Sequence, residues 1–146
     1  MYPIAQTTPF IAPMKANHLA ILFLNNVEFI GHIKNETIPE FLSKAFCLLN
    51  TSRLEGFSNT FLEAWSVGTP VITTKNVNPD EIISDYSLGI VSENYDEIPK
   101  ILKKLIEEKQ YMGFSKTCSN YVKDHHDPIK LAKIFLQDMK NCLVKT

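Results

Sequence analysis

The stretch from Phe46 to Thr74 constrains the fold more than any other part of this sequence. Phe46-Cys47-Leu48-Leu49 is a short apolar run that gives way to small polar residues and then to Gly56. A buried parallel strand ends in this way where it passes into a loop at its carboxyl end. Ser58, Asn59 and Thr60 all favour the N-cap of a helix, and Thr60-x-x-Glu63 has the spacing of a capping box. Gly68 follows the expected last helical residue, where a left-handed backbone is wanted. Pro70 then opens a second apolar, β-branched strand, Val71-Ile72-Thr73-Thr74. In open α/β sheets, ligands bind outside the carboxyl ends of the strands, and anions favour helix N-termini. A site is therefore expected on this loop and at the start of its helix.

The flanking sequence continues the alternation. Thr37-Ile38-Pro39-Glu40 predicts a second capping box, with proline in the first turn. Ile38, Phe41, Leu42, Ala45 and Phe46 follow at helical spacing, which predicts one buried face with both phenylalanines in the core. Asn78 is expected to cap a short helix that starts at Pro79 and carries Ile82, Ile83 and Tyr86. Gly89 to Val91 reads as the last strand. Ile98, Ile101, Leu102, Leu105 and Ile106 then form an amphipathic stripe, opposite a mixed-charge face from Lys100 to Lys109 that reads as solvated. A helical segment is expected over Tyr111 to Val122. Asp127-Pro128 is expected to cap a last helix, with Ala132, Phe135, Met139, Cys142 and Leu143 on one side. Upstream, Val27 to Ile30 reads as a short strand ending at Gly31, and His18 to Leu24 fits either a helix end or a strand. Residues 1–26 are expected to be an irregular segment and 27–146 the domain. Strands alternating with helices predict an α/β fold with a parallel sheet.

Composition excludes several classes. With 146 residues, one domain is expected; 45% hydrophobic and 21% charged residues suit an ordinary globular core. The net charge of -1 gives no electrostatic case for nucleic acid. The apolar run Leu19 to Leu24 is far short of a membrane span, and Met1-Tyr2-Pro3-Ile4 lacks the basic start of a signal peptide. Cys47, Cys118 and Cys142 are odd in number and widely spaced, which argues against a disulfide framework or a metal site. A cytoplasmic location is expected, peripheral at a membrane only through a partner. Trp65 is expected in the core, Arg53 in solvent, His32 on an ordinary loop, and His125-His126 as a surface pair between helices.

The ordered series Glu55-Gly56-Phe57-Ser58-Asn59-Thr60-Phe61-Leu62-Glu63-Ala64-Trp65, Gly68 and Pro70-Val71-Ile72 resembles the donor-binding signature of the family four retaining glycosyltransferases. Val27-Glu28-Phe29-Ile30-Gly31 upstream, and Pro79-Asp80-Glu81-Ile82-Ile83 and Gly89-Ile90-Val91 downstream, continue the likeness. The resemblance implies a Rossmann-like parallel sheet flanked by helices. That is the C-terminal half of a two-domain B-type (GT-B) glycosyltransferase, here lacking its first strands. The family's Gly-Arg…Lys-Gly segment, which serves the diphosphate, is not found in this sequence. An N-terminal acceptor domain is implied as a partner, either missing or in another chain.

The resemblance implies a nucleotide-sugar donor of UDP or GDP type, with no further cofactor. Glu63 is implied for the ribose hydroxyls, since a carboxylate can accept from both hydroxyls of a diol; capping of its own helix is the alternative. Glu55 is implied as the candidate catalytic residue facing the donor sugar, with an exposed surface glutamate as the alternative. Gly56 would let the backbone approach a ligand closely. The amides of Phe57, Ser58, Asn59 and Thr60 point toward the helix start and suit a diphosphate or sugar hydroxyls. No Asp-x-Asp metal motif occurs, so metal-independent transfer is expected. The alternative function is a non-catalytic nucleotide-sugar-binding subunit or an inactive fragment.

Overall fold

The computed structural model describes residues 27–28, 30–107 and 111–143. Three strands, β1 (Leu48–Leu49), β2 (Val71–Thr74) and β3 (Gly89–Ser92), form a parallel sheet in the order β1-β2-β3. Helix α1 (Ile38–Lys44) precedes β1, α2 (Asn59–Ser66) connects β1 to β2, and α3 (Ile82–Asp85) connects β2 to β3. Helices α4 (Ile98–Glu107), α5 (Tyr111–His125) and α6 (Pro128–Leu143) follow. Leu48 lies opposite Val71 and Ile72 opposite Ile90. The architecture is the expected small parallel sheet flanked by helices. The irregular segment 1–26, and His18 to Leu24 within it, lie outside the described residues.

β2 is the central strand, and all four of its residues are buried. The two-residue period of a strand sends Val71 and Ile72 to opposite faces, and each face has its own core. Val71 joins Leu42 of α1, Phe61, Ala64 and Trp65 of α2, Ile83 of α3, and Cys118 and Tyr121 of α5. Ile72 joins Ile98 and Leu105 of α4, backed by Phe46, Leu49, Ile90 and Phe114. Full burial of a side chain such as Phe61 contributes about 1.5–3 kcal/mol. Trp65 is fully buried, and its indole Nε1 donates to the Leu88 carbonyl at 3.0 Å, so the ring carries no unpaired donor into the core.

Several local signals act as the residues suggest. Gly68 takes φ +80° directly after the α2 C-cap. Asn78 does so only in part: it makes no cap bond to the 3-10 turn Pro79–Glu81, its Oδ1 accepts instead from the Ile83 N–H at 3.1 Å, and α3 starts at Ile82 rather than Pro79. Asp127 Oδ1 accepts from the N–H groups of Ile129 and Lys130 at 2.8 and 3.0 Å.

Others do not. Thr37 sits at the α1 N-cap, but it already has helical dihedrals because the 3-10 turn Asn35–Thr37 runs into the helix. Its hydroxyl therefore points back to the Lys34 carbonyl at 2.7 Å, and Glu40 pairs with Lys44 instead of closing a box. Thr60 is the second residue of α2, since Ser58 occupies the extended N-cap position, so the Thr60-x-x-Glu63 box does not form. α1 stops at Lys44 because Ala45 is extended; Phe41 is exposed, and Phe46 reaches the second core from outside the helix. Val27 makes a single bridge, and Phe29 of the expected strand lies outside the described residues. The apolar face of α6 is exposed along its length, with Ile129 67%, Phe135 63% and Leu136 58% accessible.

Candidate functional site

Because the strands are parallel, the loops that follow them leave from one edge of the sheet. The β1 loop runs from Asn50 to Ser58, the β2 loop contains the turns Lys75–Val77 and Pro79–Glu81, and the β3 loop contains the turn Tyr95–Glu97. The Tyr95 hydroxyl donates to the Thr51 carbonyl at 2.9 Å and reaches that of Ser52 at 3.2 Å, tying the third loop to the first. Lys75 Nζ lies 2.9 Å from the Glu93 carboxylate, tying the second to the third. The loop that carries Glu55 to Ser58 is thus braced from the far side of the sheet.

Glu55 is half-buried in that loop, and its Oε2 accepts from the side-chain amide of Asn50. Asn50 in turn accepts from the Ser52 N–H at 2.8 Å. Glu55 is thus half-buried, with its carboxylate held by the residue that follows β1. Gly56 is exposed without a positive φ, and a Cβ built on it meets nothing within 4 Å. The chain's own packing does not require glycine there. Ser58 has the extended backbone of an N-cap, yet its side chain makes no cap hydrogen bond. Asn59 and Thr60 follow as the first two helical residues, both exposed. Their N–H groups belong to the set that an α-helix leaves unpaired. Glu63 is half-buried as the fifth residue of α2.

Phe57 is more tied down than a glycine-flanked loop residue need be. Its ring packs edge-on to Trp65, centroids 6.0 Å apart, and stacks on His126 at 5.7 Å. His126 also meets Tyr121, while Tyr121 stacks on His125 at 4.7 Å. The two histidines are thus not simply a surface pair: His125 is exposed, and His126 is half-buried against the loop. Burial, followed by repulsion from His125, holds His126 below the ordinary histidine range. The thiol of Cys47, just before β1, is pushed up to about 11 by burial, which leaves it protonated and unsuited to nucleophilic work at neutral pH. Arg53 and His32 are exposed.

Asn50 could have been found in the sequence, since an asparagine two residues before a serine at a strand end suits an Asx turn. Tyr95 and His126 could not, because their contacts join segments far apart in the chain. Asp80 and Glu81 adopt left-handed dihedrals, φ 49° and 58°, without being glycine. Such residues store strain, and these stand in the loop after β2, at the same sheet edge as Glu55.

Comparison with known proteins matches this arrangement to a family. The sequence pattern of "Glycosyl transferases group 1" matches residues 12–140. An uncharacterized 41.2 kDa protein in the cps region of Klebsiella pneumoniae is 31% identical over 78 residues, covering 53% of this chain and 22% of that protein. The sucrose-phosphate synthase of Spinacia oleracea is 28% identical over 106 residues, covering 68% of this chain and 10% of the enzyme. A probable sucrose-phosphate synthase 4 of Oryza sativa subsp. japonica is 29% identical over 90 residues, 58% of this chain and 8% of that protein. The chain thus spans about a fifth or less of the length of these relatives. The family match spans the whole sheet and every residue of the β1 loop, and the chain belongs to the group 1 glycosyl transferases.

Proposed function

We propose that this chain is the donor-binding part of a retaining glycosyltransferase of the GT-B type. It would take a sugar from a nucleoside diphosphate and serve its transfer to an acceptor hydroxyl in glycan or polysaccharide assembly. The observation that carries this reading is the α2 N-terminus, where an N-cap serine leaves the helix without a side-chain cap, three residues after a glutamate fixed by Asn50. An anion with several oxygens suits those unpaired N–H groups and the positive end of the helix dipole.

In this reading the amides of Phe57, Ser58, Asn59 and Thr60 hold the diphosphate and stabilise it as it leaves, without a metal. Gly56 lets the donor lie against the backbone. Glu63 accepts from the ribose diol and Glu55 from the donor sugar, where its charge also stabilises the positive charge that develops at the anomeric carbon. The cps-region relative supports a polysaccharide setting. An acceptor domain completes the cleft, and the exposed apolar face of α6 is the surface we assign to it. None of the helices among the described residues is long and apolar enough to cross a membrane. We expect a cytoplasmic protein, reaching a membrane through its partner.

The test is a calorimetric or NMR screen of UDP, GDP, UDP-glucose and GDP-mannose against the purified chain. Binding that perturbs residues 55–63 supports the reading. A chain that binds none of them at millimolar concentration is not a donor-binding domain.

A further inference from the structure

We infer that Asn50 is a positioning residue that presents the Glu55 carboxylate to the sugar of the donor; the inference rests on the nucleotide-sugar reading above. Asn50 directly follows β1, and its backbone N–H donates to the Ile72 carbonyl at 2.9 Å, so the sheet fixes where its side chain starts. Its Oδ1 accepts from the Ser52 N–H at 2.8 Å. That contact decides which way round the amide lies. With oxygen toward Ser52, Nδ2 faces the other way, where it donates to Oε2 of Glu55. A flipped amide would set its oxygen against the carboxylate and its NH2 against an N–H group, and both contacts repel. Tyr95 holds the same loop through the carbonyls of Thr51 and Ser52.

One Glu55 oxygen is therefore committed to Asn50, and Oε1 remains to accept from a ligand hydroxyl. A glutamate that must be immobilised on binding loses rotamer freedom at that moment; a glutamate already held loses less. Asn50 thus acts on ligands that reach Glu55, which are the sugar conjugates, and much less on the nucleotide alone.

Asn50→Asp tests this with little change in shape. The aspartate keeps an oxygen for the Ser52 N–H and replaces the amide donor with a second acceptor facing Glu55. First, amide NMR spectra of the wild-type chain and Glu55→Ala are compared, with the Asn50 side-chain pair identified by its loss in Asn50→Asp. That pair should move in Glu55→Ala while the Trp65 indole signal stays; a pair that does not move overturns the contact. Second, wild type and Asn50→Asp are titrated with UDP, UDP-glucose, GDP and GDP-mannose. Asn50→Asp should weaken binding of the sugar conjugate roughly tenfold or more relative to its parent diphosphate. An equal effect on both overturns the positioning role. If Asn50→Asp fails to fold in a thermal melt, Asn50→Ser, which retains an acceptor for Ser52, takes its place and the same ratio decides. Should the wild-type chain bind none of the four probes, the nucleotide-sugar reading falls and the positioning role with it, while the amide signal alone still reports whether Asn50 holds Glu55.

Discussion

The imidazole of His126 stacks on the ring of Phe57, with centroids 5.7 Å apart and planes inclined by 27°. Phe57 lies in the loop that carries Glu55, and His126 lies at the junction between α5 and α6. The site loop is therefore buttressed on one side by the end of α5 and the residue that follows it. On its other side, Asn50 and Tyr95 anchor it to the sheet edge.

The stack makes stability depend on pH. His126 titrates below its ordinary value of 6.5, chiefly through burial and then through repulsion by His125. As pH falls below 6.5 the unfolded chain takes up this proton first, so stability falls progressively until pH passes below the lowered folded value, where the loss is complete. Stability from this group is complete above 6.5 and lost below it. His126→Phe keeps the stack, with Tyr121 and Phe57 still packed on it, but cannot titrate. The drop in melting temperature between about pH 7.5 and about pH 5 should be smaller in His126→Phe than in wild type. Equal drops would mean that His126 does not contribute.

Glu63 offers a direct test of donor binding. It is half-buried on α2 and takes no part in capping, so its removal leaves the helix start as it was. Loss of a charge-assisted hydrogen bond costs about 1.5–3 kcal/mol, or roughly 10- to 150-fold in affinity. Glu63→Ala should weaken UDP or GDP binding by that factor, with the melting temperature nearly unchanged. A mutant that binds the nucleotide as tightly as wild type removes Glu63 from the ribose.

Two glycines should separate folding from binding. A Cβ at Gly56 meets nothing within 4 Å, whereas one at Gly89 would collide with the Val71 carbonyl in the neighbouring strand. Gly89→Ala should therefore disrupt the sheet, at a cost above about 4 kcal/mol. Gly56→Val should fold and lose nucleotide binding, because the methyl groups occupy space that only a ligand would use. A melting temperature strongly lowered in Gly56→Val, with binding retained, would sink this account.

How much of this was written in the sequence follows from the range of each interaction. Gly68 and Asp127 act on backbone within a few residues, and their roles could be read directly. The alternation of Val71 and Ile72 between two cores is likewise local geometry. The capping boxes failed for two reasons: Thr37 stands at the α1 N-cap but takes helical dihedrals from the turn before it, and α2 begins two residues early, with an extended Ser58 at the cap. Phe41 shows the limit of periodicity. It has the spacing of a core residue, but a seven-residue helix that buries only Leu42 leaves it exposed. The positions of Glu55 and Glu63 were legible from the family pattern. The residues that hold Glu55 and Phe57 in place were less so, because the Tyr95 and His126 contacts exist only once the chain has folded.

The final prediction is that the isolated chain associates and does not transfer sugar at a useful rate. Holding donor and acceptor together can supply about 7–11 kcal/mol of a transfer barrier. In the proposed reading the loops at the sheet edge supply only one wall of the cleft. The Gly-Arg…Lys-Gly segment that serves the diphosphate in the family is not found in this sequence, so in the proposed reading only the α2 N-terminus would stabilise the leaving group. Meanwhile α6 presents Ile129, Phe135, Leu136 and Met139 to solvent along one helix. A face of this kind favours a protein partner or self-association. Light scattering under reducing conditions, which silence the exposed Cys142, should show concentration-dependent association. Phe135→Asp combined with Leu136→Lys should reduce association without lowering the melting temperature, since both side chains are more than half exposed. Transfer from a nucleotide sugar should appear only when the complementary acceptor domain is added, and the α6 double mutant should then respond less to it. Robust transfer by the purified chain alone, abolished in Glu55→Ala, would refute the need for a partner while supporting the assignment of Glu55.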